Sequence, residues 1–314
     1  DNVLVAFSGG KDSGVLLNLC YNYADEHGLL DKLTMYHLDY EAQYQMTTEY
    51  VTRTFLEQFP GIRKMWYCVP IKAQSACALG EPYWTPWDAA KKKLWVRAMP
   101  ENPYVVHEGN LDVPFRHGMV DYEFQDKLSR HFAKKRGTTA VMVGLRADES
   151  LNRYAAVARG KKRRSYEGRK WITQTSAVTA NVYPLYDWRV SDIWTATARF
   201  GFDYNRLYDL LYQAGLTAGQ MRVASPFNDC AQESLKLYKV IDPSNWARMI
   251  GRVNGVNFTG LYGGTTAMGW KTIKLPPGHT WKSYYEFLLS TMDARTAAHY
   301  NNILEKSKRY WMQG

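Results

Sequence analysis

The sequence predicts an α/β fold: a parallel sheet followed by a mainly helical C-terminal part. Two observations carry that expectation. Short apolar runs alternate with stretches of helical period through the first part of the chain, and strand–helix–strand connections within one sheet make the strands parallel. After Trp188 the strand-length runs give out and helical periodicity dominates.

The elements follow in order. Residues 3–7 form a strand-length apolar run ending in Ser8-Gly9-Gly10-Lys11-Asp12-Ser13, after which Val15, Leu16, Leu19 and Cys20 recur at helical spacing as far as Gly28. Residues 33–38 make a second strand stopping at Asp39, residues 47–59 a second helix closed by Pro60, and residues 64–69 a third strand before Pro70. From 72 to 118 the periodicity fails. That segment, with Trp84, Trp87, Trp95 and the run Lys91-Lys92-Lys93, reads as an insertion over one edge or mouth of the sheet, its tryptophans better suited to packing than to stacking on a ligand. A helix over 121–136, a β-branched strand over 139–145, a charged loop over 146–175 and a last strand over 181–185 complete the sheet. Helices are expected over 190–200, 204–214, 231–240 and 244–253, then a glycine-rich stretch and a final helical pair after Pro277. The expected organisation is one domain over 1–200, carrying the insertion, and a helical region over 201–314.

Composition narrows the class. With 46% hydrophobic and 22% charged residues, the 314-residue chain sits with globular proteins and away from disordered ones. No apolar run approaches the roughly 18 residues of a membrane helix, so no membrane is expected among its partners. Forty Lys+Arg against thirty Asp+Glu leave a formal charge of +10, which favours phosphate-bearing partners, nucleotide or nucleic acid. Cys20, Cys68, Cys77 and Cys230 form no CxxC pair and no ligand spacing with histidine. A disulfide scaffold, a zinc ribbon and an iron–sulfur cluster are therefore disfavoured. The chain begins at Asp1, almost directly with a strand, and a cytoplasmic setting is expected.

SGGKDS between a strand and a helix sets successive backbone N–H groups at a helix N-terminus, where the partial positive charge favours an anion. Gly9 and Gly10 let the backbone approach it, Ser8 and Ser13 add hydroxyl donors, and Lys11 adds a point charge. Asp12 suits the helix dipole or a magnesium ion. The spacing matches neither the GxxxxGK[ST] of a Walker loop nor the GxGxxG of a dinucleotide fold.

In these residues the chain resembles the PP-loop nucleotide pyrophosphatase superfamily, whose signature is SGGKDS after the first strand. His37-Leu38-Asp39 resembles that superfamily's acidic position on the adenosine side. Gly144-Leu145-Arg146-Ala147-Asp148-Glu149-Ser150 with Arg153 is similar to the GxRxxES…R element of phosphoadenosine phosphosulfate (PAPS) reductases, and Pro184-Leu185-Tyr186-Asp187-Trp188 with Asp192, Ile193 and Trp194 to that branch's PL-x-DW…D-x-W segment. The resemblance covers roughly residues 1–200 and implies an adenine nucleotide α-hydrolase-like, Rossmann-like sheet binding ATP or PAPS with magnesium. The remaining third resembles PAPS-reductase-like proteins encoded beside a ParB-like partner in bacterial mobile elements, which implies such a partner and a role in phage defence or mobile-element regulation.

The residues expected to bind nucleotide or phosphate are Ser8, Gly9, Gly10, Lys11, Asp12, Ser13, Asp39, Gly144 and Arg146; Lys11, Arg146 and Arg153 are the candidates for catalysis. Guanidinium groups at 146 and 153 suit bidentate hold of a sulfate or terminal phosphate, surface ion pairing with Asp148 or Glu149 being the plain alternative. Lys161, Lys162, Arg163 and Arg164 lie in a dense basic segment that fits a polyphosphate, nucleic acid or a solvated loop. PAPS reductases that make sulfite use a cysteine in a C-terminal Cys-Gly tail, but here no cysteine follows Cys230. Chemistry at the α-phosphate of ATP or at a phosphosulfate is the expectation, with a non-catalytic nucleotide-sensing subunit or a DNA-modifying sulfur-transfer component as alternatives. Cys20 and Cys68 read as core thiols, Cys77 as the cysteine to test for reactivity.

Overall fold

A computed structural model describes residues 1–312 apart from 79, 159–164, 224, 233, 266 and 268–273. The chain opens β1 (Asn2–Ala6), α1 (Lys11–Glu26), β2 (Leu33–Leu38), α2 (Gln45–Glu57) and β3 (Arg63–Cys68). There follow β4 (Ala73–Gln74), β5 (Tyr83–Trp84) and β6 (Val105–His107) within the insertion, then α3 (Asp121–Arg136) and β7 (Thr139–Val143). Next come α4 (Leu151–Ala158), β8 (Ser165–Tyr166), β9 (Arg169–Gln174), β10 (Thr179–Val182), α5 (Val190–Phe200) and α6 (Leu207–Gln213). The last helices are α7 (Tyr238–Ile241), α8 (Pro243–Arg252), α9 (Val256–Tyr262), α10 (Trp281–Ser290) and α11 (Ala294–Met312).

The main sheet runs β6-β3-β2-β1-β7-β10-β9-β8. From β6 to β10 the strands are parallel, whereas β9 is antiparallel to β10 and β8 to β9. The central strands read as near-continuous apolar runs because helices cover both faces. Alternate residues serve opposite faces. Val5 and Met35 pack with Leu16, Phe55 and Ile193 beneath α1, α2 and α5, whereas Leu4 and Tyr36 pack with Phe124, Leu128 and Phe132 of α3. Asp121 and Glu123 in the first turn of α3, and Lys134, Lys135 and Arg136 in its last, complement the helix dipole.

Two stretches of irregular sequence turn out to extend the sheet. The insertion supplies β6, a three-residue parallel edge strand on β3, and its ends are tied where Lys72 bridges Val120. The charged segment 146–175 contains α4 and the β8–β9 hairpin. Edge strands tolerate exposed cations, which break the apolar alternation by which a strand is read. A third core joins the insertion to the helices after α5: Ala73, Cys77, Trp84 and Val96 pack with Leu207, Phe227, Tyr238, Met249 and Val256.

Residues Asp1–Gly264 form one compact unit and Thr265–Gly314 another. Within the second, Thr280 and Ser283 cap the start of α10 reciprocally, and the Tyr285 hydroxyl donates to Asn301 Oδ1 of α11 at 2.7 Å. Among the described residues no helix is long and apolar enough to cross a membrane.

Candidate phosphate-binding site

Strand order reverses between β1, whose chain continues outward through β2 and β3, and β7, which leads to β10. In open parallel sheets the crevice at that reversal, outside the carboxyl ends of the strands, is where ligands bind. The loop after β1 and the loop after β7 meet there. Gly9 takes φ +77°, and a Cβ on it would stand 2.9 Å from Val51 Cγ2 of α2. On Gly144 a Cβ would stand 3.0 Å from the Ser13 nitrogen and 3.1 Å from the Asp12 carbonyl carbon, so only glycine lets the end of β7 come this close to the first loop.

The loop is held internally. Ser8 N–H donates to Ser13 Oγ at 3.1 Å, Gly10 N–H to Ser8 Oγ at 3.3 Å, and Ser13 Oγ to the Gly10 carbonyl at 3.0 Å. Asn205 Nδ2 donates to the Gly9 carbonyl at 3.2 Å and to Thr47 Oγ1 at 2.9 Å, fixing the loop to α2. The Lys11 N–H, at the N-terminus of α1, donates to the hydroxyl of Tyr208 at 3.1 Å. Trp194 and Tyr208 pack edge to face at 5.3 Å, steadying that hydroxyl, and burial pushes the phenol up.

Charged side chains ring the loop in pairs. Lys11 Nζ lies 3.1 Å from Asp12 Oδ2, and Arg146 spans Asp12 Oδ1 and Asp148 Oδ1 at 2.5 Å each. Burial works against the charge on Arg146, but Asp12, Asp148 and Glu149 outweigh it and hold the guanidinium above its ordinary value. Arg153 reaches Glu149 Oε2 at 3.0 Å, and Arg222 donates to the Glu149 carbonyl at 3.0 Å. Ser8, Gly10, Lys11, Asp12, Ser13, Gly144, Glu149, Arg153, Tyr208, Arg222 and Val223 line a small cleft of about 80 Å³. The glycine loop and the cations Lys11, Arg153 and Arg222 thus line a space of phosphate size, with Arg146 bound to Asp12 of its wall, and charge-assisted hydrogen bonds are the strongest contacts available to such a group.

Of the residues picked out from sequence, Ser8, Gly10, Lys11, Asp12, Ser13, Gly144 and Arg153 line the cleft, and Gly9 and Arg146 support it. Asp39, expected on the adenosine side, does not line this cleft. Fully buried at the end of β2, it accepts from Arg97 Nη2 at 2.5 Å and from Trp66 Nε1 at 2.7 Å. Burial would raise its carboxyl, and the charges of Arg97 and His37 with the hydrogen bonds from Arg97 and Trp66 hold it below the usual carboxylate range instead. Asp192 caps α5 by accepting from Arg189 N–H at 2.7 Å. Lys161, Lys162, Arg163 and Arg164 lie outside the described residues. Tyr208, Arg222 and Asn205 carry no local motif. Tyr208 is 197 residues from the amide it touches, so only the packing of α6 reveals it.

The cysteines divide by burial. Burial pushes Cys20 up to about 12 and raises Cys68 and Cys77 as well. Cys77, the thiol singled out for test, is only 5% exposed. Cys230 is exposed and lies beside Arg222, whose charge opposes the upward push of burial and Asp229.

A parallel α/β sheet with a glycine loop and arginines at its strand reversal defines a phosphate-binding α/β protein. Residues 2–214 match the phosphoadenosine phosphosulfate reductase domain, and the chain belongs to that family. Residues 215–314 match a domain of unknown function, DUF3440. The chain is 35% identical over 305 residues to the uncharacterised protein YbdN of Escherichia coli K12, covering 96% of this chain and 73% of that protein. Among solved structures it is similar to a PAPS reductase from Candida auris in complex with phosphate, at 15% identity and TM-score 0.38, covering 72% of this chain and 81% of that one. It is also similar to FMN adenylyltransferase of Candida glabrata, at 14% identity and TM-score 0.36, covering 66% and 50% of the two chains.

Proposed function

We propose that the chain binds an adenine nucleotide and acts at a phosphoanhydride or phosphosulfate, either the α-phosphate of ATP or the sulfate of PAPS. The observation that carries this reading is the meeting of the glycine loop with Lys11, Arg153 and Arg222 around one phosphate-sized cleft, with Arg146 bound to Asp12 beside it. Membership of the PAPS reductase domain family supports the adenine nucleotide. With ATP, an acceptor oxygen bonds to the α-phosphorus as the bond to the β-phosphate oxygen breaks, and pyrophosphate leaves with the electron pair. Lys11 and the loop amides neutralise the departing charge, Arg153 and Arg222 hold the oxygens in place, and positioning with fixed cations supplies the acceleration. To receive the phosphates, Lys11 and Arg146 exchange Asp12 for phosphate oxygens, and the Lys11 N–H exchanges Tyr208.

Magnesium belongs to the resemblance, and Asp12 is the residue nearest to hold it. As placed, Lys11 and Arg146 occupy the two carboxylate oxygens of Asp12, and the exchange described above would free that carboxylate to hold magnesium beside the phosphates.

Phosphorus NMR of the full chain with magnesium and either ATP or PAPS, a thiol donor being added to the PAPS samples, tests the reading. AMP and pyrophosphate are expected from ATP, or adenosine bisphosphate and sulfite from PAPS, with a rate falling about 100-fold or more in Lys11→Ala, as for loss of a preorganised charge donor. Nucleotides that bind in a Lys11-dependent way yet stay intact favour instead a nucleotide-sensing subunit acting on a ParB-like partner. The neutralised resting state of the cleft, in which each carboxylate is paired and Tyr208 covers a loop amide, suits that second reading.

A further inference from the structure

We infer that the chain carries a second phosphate-recognising site, in the cleft between the insertion and α8, for a phosphorylated small molecule of nucleotide size. The cleft measures about 860 Å³, within the range that takes small ligands, and shares no lining residue with the loop cleft. Lys92, Lys93, Arg97, Arg248 and His107 line it against a single carboxylate, Glu101. Lys92, Lys93 and Arg248 are exposed, and no carboxylate pairs with them among the described residues. This sets them apart from the cations around the loop, each held by an acid.

Arg97 gives a second, independent indication. Its side chain is 8% exposed and anchored through Nη2 to Asp39, yet its Nε is buried with no partner. Buried N–H groups are nearly always paired, so this guanidinium keeps a donor to spare at the wall of the cleft. Trp95 supplies a flat wall: its Nε1 donates to the Asp88 carbonyl at 2.9 Å and its ring sits edge to face with Trp87 at 5.1 Å, so the indole is fixed before a ligand arrives. One aromatic wall in a cleft suits a single ring with its phosphates. A nucleic acid strand is gripped by successive stacking platforms along a groove, which this cleft does not offer among its lining residues.

The test is equilibrium binding of ATP and of inorganic tripolyphosphate to the full chain carrying Lys11→Ala, with and without Lys92→Ala, Lys93→Ala and Arg248→Ala together. All three added substitutions are on exposed side chains outside the loop machinery, and an unchanged melting curve verifies the fold. The residual binding of either probe in Lys11→Ala is expected to weaken tenfold or more on adding the triple substitution and to fall with salt. ATP binding alone marks a nucleotide as the ligand, whereas equal binding of tripolyphosphate marks the phosphate chain. Residual binding that ignores the triple substitution overturns the proposal, as does a 20-nucleotide single strand binding in its place while both small probes fail. An unchanged affinity in Lys11→Ala alone counts against the loop reading and leaves this one standing.

Discussion

At the loop, single atoms decide what the protein can bind. The Lys11 N–H points outward from the first turn of α1, and the Tyr208 hydroxyl takes it at 3.1 Å. A phosphate oxygen offers the same amide a stronger, charged acceptor. Tyr208→Phe is therefore expected to destabilise the free protein by about 1 kcal/mol through loss of a buried hydrogen bond, and to tighten ATP binding severalfold, because the nucleotide no longer displaces a partner. Urea unfolding and calorimetric titration check the two halves. A variant that weakens ATP binding would instead show the hydroxyl contacting the ligand. Asp12 is the resident acid of the loop, pairing with both Lys11 and Arg146.

Among the elements, α8 does more than pad the C-terminal side. Arg252 at its end sends Nε to Glu41 Oε1 at 2.8 Å and Nη2 to Glu41 Oε2 at 3.0 Å, both side chains being about 1% exposed or less. Glu41 also accepts from the N–H groups of Trp87 at 2.7 Å and Val96 at 3.0 Å, so one carboxylate ties the end of β2, the insertion and α8 together. Removing one member of a buried pair leaves the other uncompensated, at a cost of about 3–5 kcal/mol. Arg252→Ala is expected to lower the urea midpoint accordingly and to release the insertion to proteolysis first. A loss below 1 kcal/mol would show that water reaches Glu41. Sequence gave no sign of this, since Glu41 and Arg252 stand 211 residues apart in unremarkable contexts.

On the scale of the molecule, acid should act through the centre of the sheet. His37 is 2% exposed on β2, its Nδ1 2.8 Å from the Phe7 carbonyl and its Nε2 unpartnered. Burial lowers its pKa more than the nearby Asp39 raises it, so the folded state keeps the ring neutral while the unfolded chain takes up a proton. That group's contribution to stability is complete above about pH 6.5 and is lost as pH falls below it, by up to about 1.4 kcal/mol per pH unit. Asp39 has the opposite chemistry but the same slope, and it acts only lower, once pH falls through its depressed carboxyl value. Urea midpoints at pH 7.5 and 5.5 should therefore separate, and His37→Asn should narrow the gap. Equal midpoints in the native chain would mean the ring protonates in the folded state.

The fold class and half of the site were legible in the sequence because both rest on local chemistry. Apolar runs of strand length, helical periods between them and SGGKDS are contiguous signals. Gly9 was legible as a residue that lets backbone approach an anion, whereas the close approach of Gly144 to the Ser13 nitrogen, 3.0 Å from where a Cβ would stand, emerged only in the structure. The arginines were legible as types at the ends of strands, and pairing with Asp148 or Glu149 as their alternative, but the bond from Arg146 to Asp12 was not. Tertiary structure alone decided that Asp39 pairs with Arg97 and Trp66, that Tyr208 covers the first amide of α1, and that Arg222 joins the cleft. It also decided that irregular stretches carry β6 and the β8–β9 hairpin. The physical reason is common to all of these: a buried charge or hydroxyl takes whichever partner the packing brings, and packing joins residues hundreds of positions apart whose local sequence says nothing of one another.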